Sequence, residues 1–206
     1  PSALGQALAR ARGALAAGDP GKAMAALEGL EPTAPVLNLR GRILMATGRL
    51  AQAEAAFEQS LAARPAQPAI WEQRALAARG RGELTDARRW LAKAESLGSP
   101  TAALRLARLD LARDGSGWPD WIADVGRWPR LGAARGRLEA YLDAGAPGGE
   151  ADGARALLAE VRRRQRAVWI TLGGGGLALL LLLGLGLRRV WGGAGLEALL
   201  ARHPET

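Results

Sequence analysis

Cysteine is absent from the 206 residues, and histidine occurs once, as His203 near the end. Disulfides, thiolate zinc sites and cysteine nucleophiles are therefore excluded, as are a histidine-based triad and a multi-histidine metal site. Aromatic residues make up only 4% of the chain. Alanine and leucine carry most of the apolar content, which favours close-packed helices over a sheet built on valine, isoleucine and tyrosine. Lysine is nearly missing too: Lys22 and Lys93 are the only two, and arginine supplies the rest of the 28 basic side chains. Disorder is not expected, because 49% of the residues are hydrophobic and 23% charged, close to folded averages.

The formal net charge of +8 invites a nucleic-acid reading, but its distribution argues against one. Residues 1–100 carry a net +4, residues 101–150 are neutral, and residues 151–206 carry +4. The densest cluster, Arg162, Arg163, Arg164 and Arg166, adjoins a long apolar run. That run, residues 167–187, has 21 residues without a charge. At about 1.5 Å per residue it spans roughly 30 Å, the thickness of a bilayer's hydrocarbon core. Trp169 and Trp191 stand near its ends, with Arg166 outside one and Arg188 and Arg189 marking the other. Aromatic belts and snorkelling cations take such places at a membrane interface, so a transmembrane helix is expected. Gly174 and Ala178 form a small-xxx-small pair on it, a candidate for helix–helix packing. Five arginines lie shortly before the run and three after it, which favours a cytoplasmic location for the N-terminal part. Residues 1–20 lack the apolar core of a signal peptide. The chain starts at Pro1 without Met, which leaves an upstream segment open. The tail, 188–206, places Leu196, Leu199 and Leu200 on one face, as an interfacial helix would.

The remainder is periodic. Gly18, Gly48 and Gly82 each precede an alanine by five residues (Ala23, Ala53, Ala87) and a large apolar residue by nine (Leu27, Phe57, Leu91). Extending the spacing places Gly115 and Gly149 as further turn glycines, with Ala154 and Leu158 following the latter. Small residues opposite large ones let two antiparallel helices approach closely, glycine ends the first helix, and proline stops the second. Residues 34–67, with Leu37, Gly41, Leu44, Gly48, Ala53, Phe57 and Pro65, and residues 68–100, with Trp71, Ala75, Gly82, Ala87, Leu91, Ala94 and Pro100, resemble the tetratricopeptide repeat. The first unit is four residues short, and the fourth has Asp120 and Asp124 where alanine and a bulky apolar residue are expected.

The expected architecture is all-α: a tetratricopeptide-like hairpin solenoid of four to five hairpins over 1–150, a basic juxtamembrane helix over 151–166, a transmembrane helix over 167–187 and the short tail. The resemblance implies that the first helix of each repeat lines a groove for a partner peptide or helix. Its register puts Arg12, Leu15, Asn38, Arg42, Met45, Glu72, Arg79 and Arg105 there. The arginines suit carboxylates, which guanidinium binds in a fork. Trp118, Trp121 and Trp128 form either a docking patch or the plug of the degenerate repeat. Arg162–Arg166 stand where anionic headgroups would lie.

Catalytic patterns are lacking. Gly173–Gly176 has no GKS/T ending, Gly115-Ser116-Gly117 reads as a turn, and Asp110 with Asp114 reads as solvated helix surface. No enzyme activity, cofactor, metal, nucleic acid or small-molecule substrate is expected. The sequence points to a scaffold, adaptor or assembly factor holding a protein partner at a bacterial inner membrane. The alternative is an accessory subunit docked through its span and tryptophan cluster.

Overall fold

A computed structural model describes residues 2–112, 124–146 and 148–191, with side chains described as far as Gly174. These residues form nine helices: α1 Ala3–Ala16, α2 Pro20–Ala25, α3 Ala34–Ala46, α4 Leu50–Ala63, α5 Pro68–Gly80, α6 Leu84–Ser96, α7 Pro100–Leu111, α8 Trp128–Asp143 and α9 Gly148–Trp191. Prolines stand in the first turn of α2, α3, α5, α7 and α8, where the missing N–H has no intrahelical acceptor to lose. Ser2 and Asp19 cap α1 and α2 through the backbone N–H groups of Gly5 and Lys22.

Consecutive helices pair as α1·α2, α3·α4 and α5·α6, and α1·α3 and α3·α5 contacts join the first helices of successive hairpins. The turn at Gly48 shows how each hairpin reverses. Its φ is 72°, a region that side chains with a Cβ resist. The N–H groups of Gly48 and Arg49 donate to the carbonyls of Met45 and Leu44 at 3.0 and 2.9 Å, which satisfies the end of α3. The first unit is shortened in its second helix: α2 has 6 residues against 14 in α4, and the chain turns through Gly29.

The packing follows the small-against-large rule. Phe57 of α4 is fully buried against Gly41 of α3, where an added Cβ would come within 2.4 Å of the ring. Leu8, Ala11, Leu27, Val36 and Ile43 form the first core cluster. Ala75, Ala78, Ala87, Leu91 and Leu106 join the third hairpin to α7.

The C-terminal end is organised differently. Here α7, α8 and α9 pack together around Leu104, Leu111, Leu131, Leu138, Leu158 and Val161. Trp118, Trp121, Gly115, Asp114 and Asp120 lie outside the described residues. The last hairpin turns at Gly145, whose φ is 80°, and not at Gly149. Gly149 is already inside α9, one helical turn beyond the reversal, and this corrects the expected spacing. Ala154 and Leu158 are nevertheless buried at the hairpin seam. Asp110 also departs from expectation. It is only 4% exposed, because Arg88 and Arg137 converge on its two oxygens at 2.9 and 3.6 Å.

Helix α9 continues without interruption from Gly148 through Trp191. Among the described residues no helix is long and apolar enough to cross a membrane. Most of the 167–187 run lies beyond the described side chains. The environments expected for Ala178, Arg188, Arg189 and Trp191, and the tail beyond Trp191, likewise lie outside them.

Candidate functional site

The inner layer of the array is built by α1, α3 and α5. On α3, Val36, Leu37, Leu39, Gly41, Ile43 and Leu44 are buried, leaving Asn38, Arg42 and Met45 on one less-buried face at helical spacing. Arg12 of α1 repeats the position of Arg42, six residues before a turn glycine, and Arg79 of α5 lies three residues before Gly82. Arg12, Arg42 and Arg79 are exposed, and among the described residues none has an ion-pair partner.

Asn38 is fixed from behind. Gln67 donates through Nε2 to the carbonyls of Arg64 (2.8 Å) and Ser60 (3.3 Å) and to Ser60 Oγ (3.2 Å). Its Oε1 is therefore the acceptor, and Asn38 Nδ2 donates to it at 2.9 Å. This chain of donors decides which way the Asn38 amide points. It leaves Asn38 Oδ1 buried and without a hydrogen-bond partner among the described residues. A buried carbonyl oxygen left unpaired costs about 1–3 kcal/mol.

Two other expected groove residues are already engaged. Glu72 is 4% exposed and accepts from Ser99 Oγ, Thr101 Oγ1 and Arg105 Nη1. Arg105 is thus neutralised by Glu72, and the pair ties α5 to α7 instead of offering a free charge. They lie 33 residues apart in sequence, about one repeat, on the first helices of successive units. Arg74, not anticipated from sequence, lies on another face of α5. It bridges to Glu54 and Glu58 at 3.4 and 3.2 Å and stands 4.0 Å over the Trp90 ring, with Trp71 stacked 5.2 Å from Trp90.

The tetratricopeptide repeat family matches residues 14–79. The chain is a tetratricopeptide-like solenoid. The structure of PilF from Pseudomonas aeruginosa is similar at 18% identity, over 91% of this chain and 76% of that one, with a TM-score of 0.58. The tetratricopeptide domain of P58(IPK) is similar at 20% identity over 73% of this chain, with a TM-score of 0.54. The match spans 38% of that longer chain. A structure from Bacteroides ovatus is similar at 15% identity, over 82% of this chain and all of that one, with a TM-score of 0.50. At these identities the likeness concerns the fold. No curated protein matches the sequence. Tetratricopeptide-like arrays generally mediate protein–protein interactions, and the fold is typically a non-enzymatic scaffold.

The basic cluster before the apolar run is largely engaged within the protein. Arg162 bridges to Glu139 at 3.0 Å, and Arg163 pairs with Glu160. Arg164 reaches Glu160 at 2.7 Å, the Leu111 carbonyl at 3.1 Å and Asp124 at 3.7 Å. Asp124, out of place in a tetratricopeptide register, is thus a buried partner for Arg164. Hydrogen bonds from Arg135, then Arg162, hold the Glu139 carboxyl below the usual glutamate range. Arg164, then Arg163, does the same for Glu160. Among the described residues Arg166 has no ion-pair partner. Of the three expected patch tryptophans, Trp128 is described, and its ring meets Trp169 edge-on with centroids 6.0 Å apart.

Proposed function

We propose that this protein is a membrane-anchored scaffold that uses the inner face of its first three hairpins to hold an extended acidic segment of a partner protein. The exposed Arg12, Arg42 and Arg79, on the first helices of the three hairpins and without ion-pair partners among the described residues, carry this reading. An extended partner would place carboxylates against Arg42, Arg79 and Arg12. Arginine forks favour that pairing, and the partner's side chains supply its specificity. The anchor is the 167–187 run, which has the length and composition of a span, with the repeats on the cytoplasmic side of a bacterial inner membrane. Such a scaffold assembles or retains a complex at the membrane and carries no chemistry itself.

The test is affinity recovery of partners from native membranes in mild detergent, comparing the parent with Arg42→Glu/Arg79→Glu. The double substitution is expected to abolish recovery of an acidic partner without changing helix content. Unchanged recovery eliminates the groove. It would then favour docking through the span and the Trp128–Trp169 region.

A further inference from the structure

Five large apolar side chains are exposed among the described residues, and four of them (Val125, Trp169, Ile170 and Leu172) gather where α9 leaves the helical body. Trp169 is 68% and Ile170 73% exposed, far more than isolated surface apolar residues require. Three of the four line one cleft. Val125, Trp128, Val168, Trp169 and Leu172 enclose about 320 Å³. A second cleft of about 400 Å³ shares the same tryptophan pair and is walled by Trp128, Trp169, Arg135, Arg162, Gln165 and Arg166.

The two clefts differ in chemistry but share a wall. In the polar one, Arg135 and Arg162 both bond the same oxygen of Glu139, at 2.9 and 3.0 Å. Arg166 lines the same cleft, so its three guanidinium groups are offset only by the Glu139 carboxylate that Arg135 and Arg162 share, which leaves two positive charges in excess. Gln165 adds an amide donor beside them. The apolar cleft carries no charged side chain. A basic pocket joined through an amphipathic aromatic wall to an apolar slot matches a molecule with an anionic phosphate at one end and a hydrocarbon chain at the other.

We infer that this junction is a binding site for an anionic phospholipid. Its phosphate is held by Arg135, Arg162 and Arg166, and an acyl chain lies along Val168, Leu172 and the Trp128–Trp169 pair. The inference rests on the proposed membrane anchor and deepens it. The lipid would fix the depth at which the solenoid meets the bilayer, a role that a merely hydrophobic span does not have.

The experiment uses the full chain purified in mild detergent. It is incubated with equal amounts of phosphatidylglycerol and phosphatidylcholine of the same acyl chains, and the bound lipids are counted by native mass spectrometry. The parent is expected to retain phosphatidylglycerol about tenfold over phosphatidylcholine. Arg162→Glu/Arg166→Glu should bring the two to parity. Arg166→Gln, which breaks no ion pair, should lower the preference about threefold and guards against a folding defect in the double variant. Arg89→Glu/Arg155→Glu changes charge equally at exposed arginines whose ion-pair partners among the described residues are Asp86 and Asp152 alone, and should leave the preference intact. Parity in the parent, or equal loss in this control pair, overturns the site. Competition by excess inorganic phosphate with no requirement for an acyl chain would reassign it to a free anion and overturn the lipid. Alkaline extraction of native membranes separates the two readings, because release of the protein would refute the anchor while the lipid count still tests the site.

Discussion

The first three hairpins and the C-terminal end solve the same packing problem by different means. In the hairpins, helices approach because a glycine or alanine receives a large neighbour, as Gly41 receives Phe57. At the C-terminal end, charged side chains stitch the helices together. Arg137 of α8 reaches Glu95 of α6 at 3.0 Å as well as Asp110 of α7, and Arg164 of α9 reaches the Leu111 carbonyl. Shape complementarity can be repeated along a chain, because each unit meets a copy of its neighbour. Ion pairs also link the hairpins, as Arg74 reaches Glu54 and Glu58, but each is particular to its place and does not recur with the repeat.

The contrast can be broken most sharply at Phe57. Phe57→Ala removes a fully buried ring and should cost about 3–5 kcal/mol in urea unfolding. Gly41→Ala, which forces the same contact from the other side, should be destabilising too, and in combination the two should be clearly non-additive. Additive effects would mean that the ring and the glycine are not a packing pair.

A smaller loss is expected at the other end. Asp110→Ala removes the carboxylate shared by Arg88 and Arg137, and breaking a well-buried pair costs about 3–5 kcal/mol, although Arg137 keeps Glu95 and Arg88 keeps the Leu109 carbonyl. Both arginines keep about a quarter of their side chains exposed and can recover water, so about 2 kcal/mol is expected by the same measurement. An Asp110→Ala variant as stable as the parent would show that the ion pairs ornament the C-terminal end without holding it.

The least effect is a titration. Tyr141, the only tyrosine, donates to Glu150 Oε2 at 2.5 Å across the last hairpin. That hydrogen bond, helped by desolvation, raises the phenol above the usual tyrosine range. A raised acid stabilises the fold while it is protonated. Its contribution is therefore full below about pH 10, the unfolded value, and fades as pH rises through the folded one. Absorbance at alkaline pH should place the Tyr141 transition above that of a free tyrosine, and Glu150→Gln should lower it.

The regular half was legible because its determinants are local and recur. A turn glycine, an alanine five residues on and a large residue nine residues on are forced by one helical crossing. The glycine choice failed once, at Gly149, because composition cannot distinguish two glycines four residues apart. Only the backbone angle at Gly145 does. On the first helices, Arg12 and Arg42 share one register position, six residues before a turn glycine, and both are exposed. The capture of Arg105 by Glu72 and the orphaned Asn38 oxygen do not follow from register, because both depend on side chains from neighbouring repeats meeting in space. Asp110 and Asp124 read as surface or misfit in a one-dimensional pattern, since their arginine partners lie on other helices. Glu160 and Arg164 form an i,i+4 pair, a spacing that the sequence displays directly.

Helix α9 has 44 residues, about 66 Å at 1.5 Å per residue, whereas its neighbour α8 has 16. Much of its length therefore projects past the body that steadies it, and the described backbone has no interruption at which the two parts could swivel. A twist applied to the projecting part is delivered to α7 and α8 as torque. The bearing of the inner face is thus set by whatever grips the far end of a single helix.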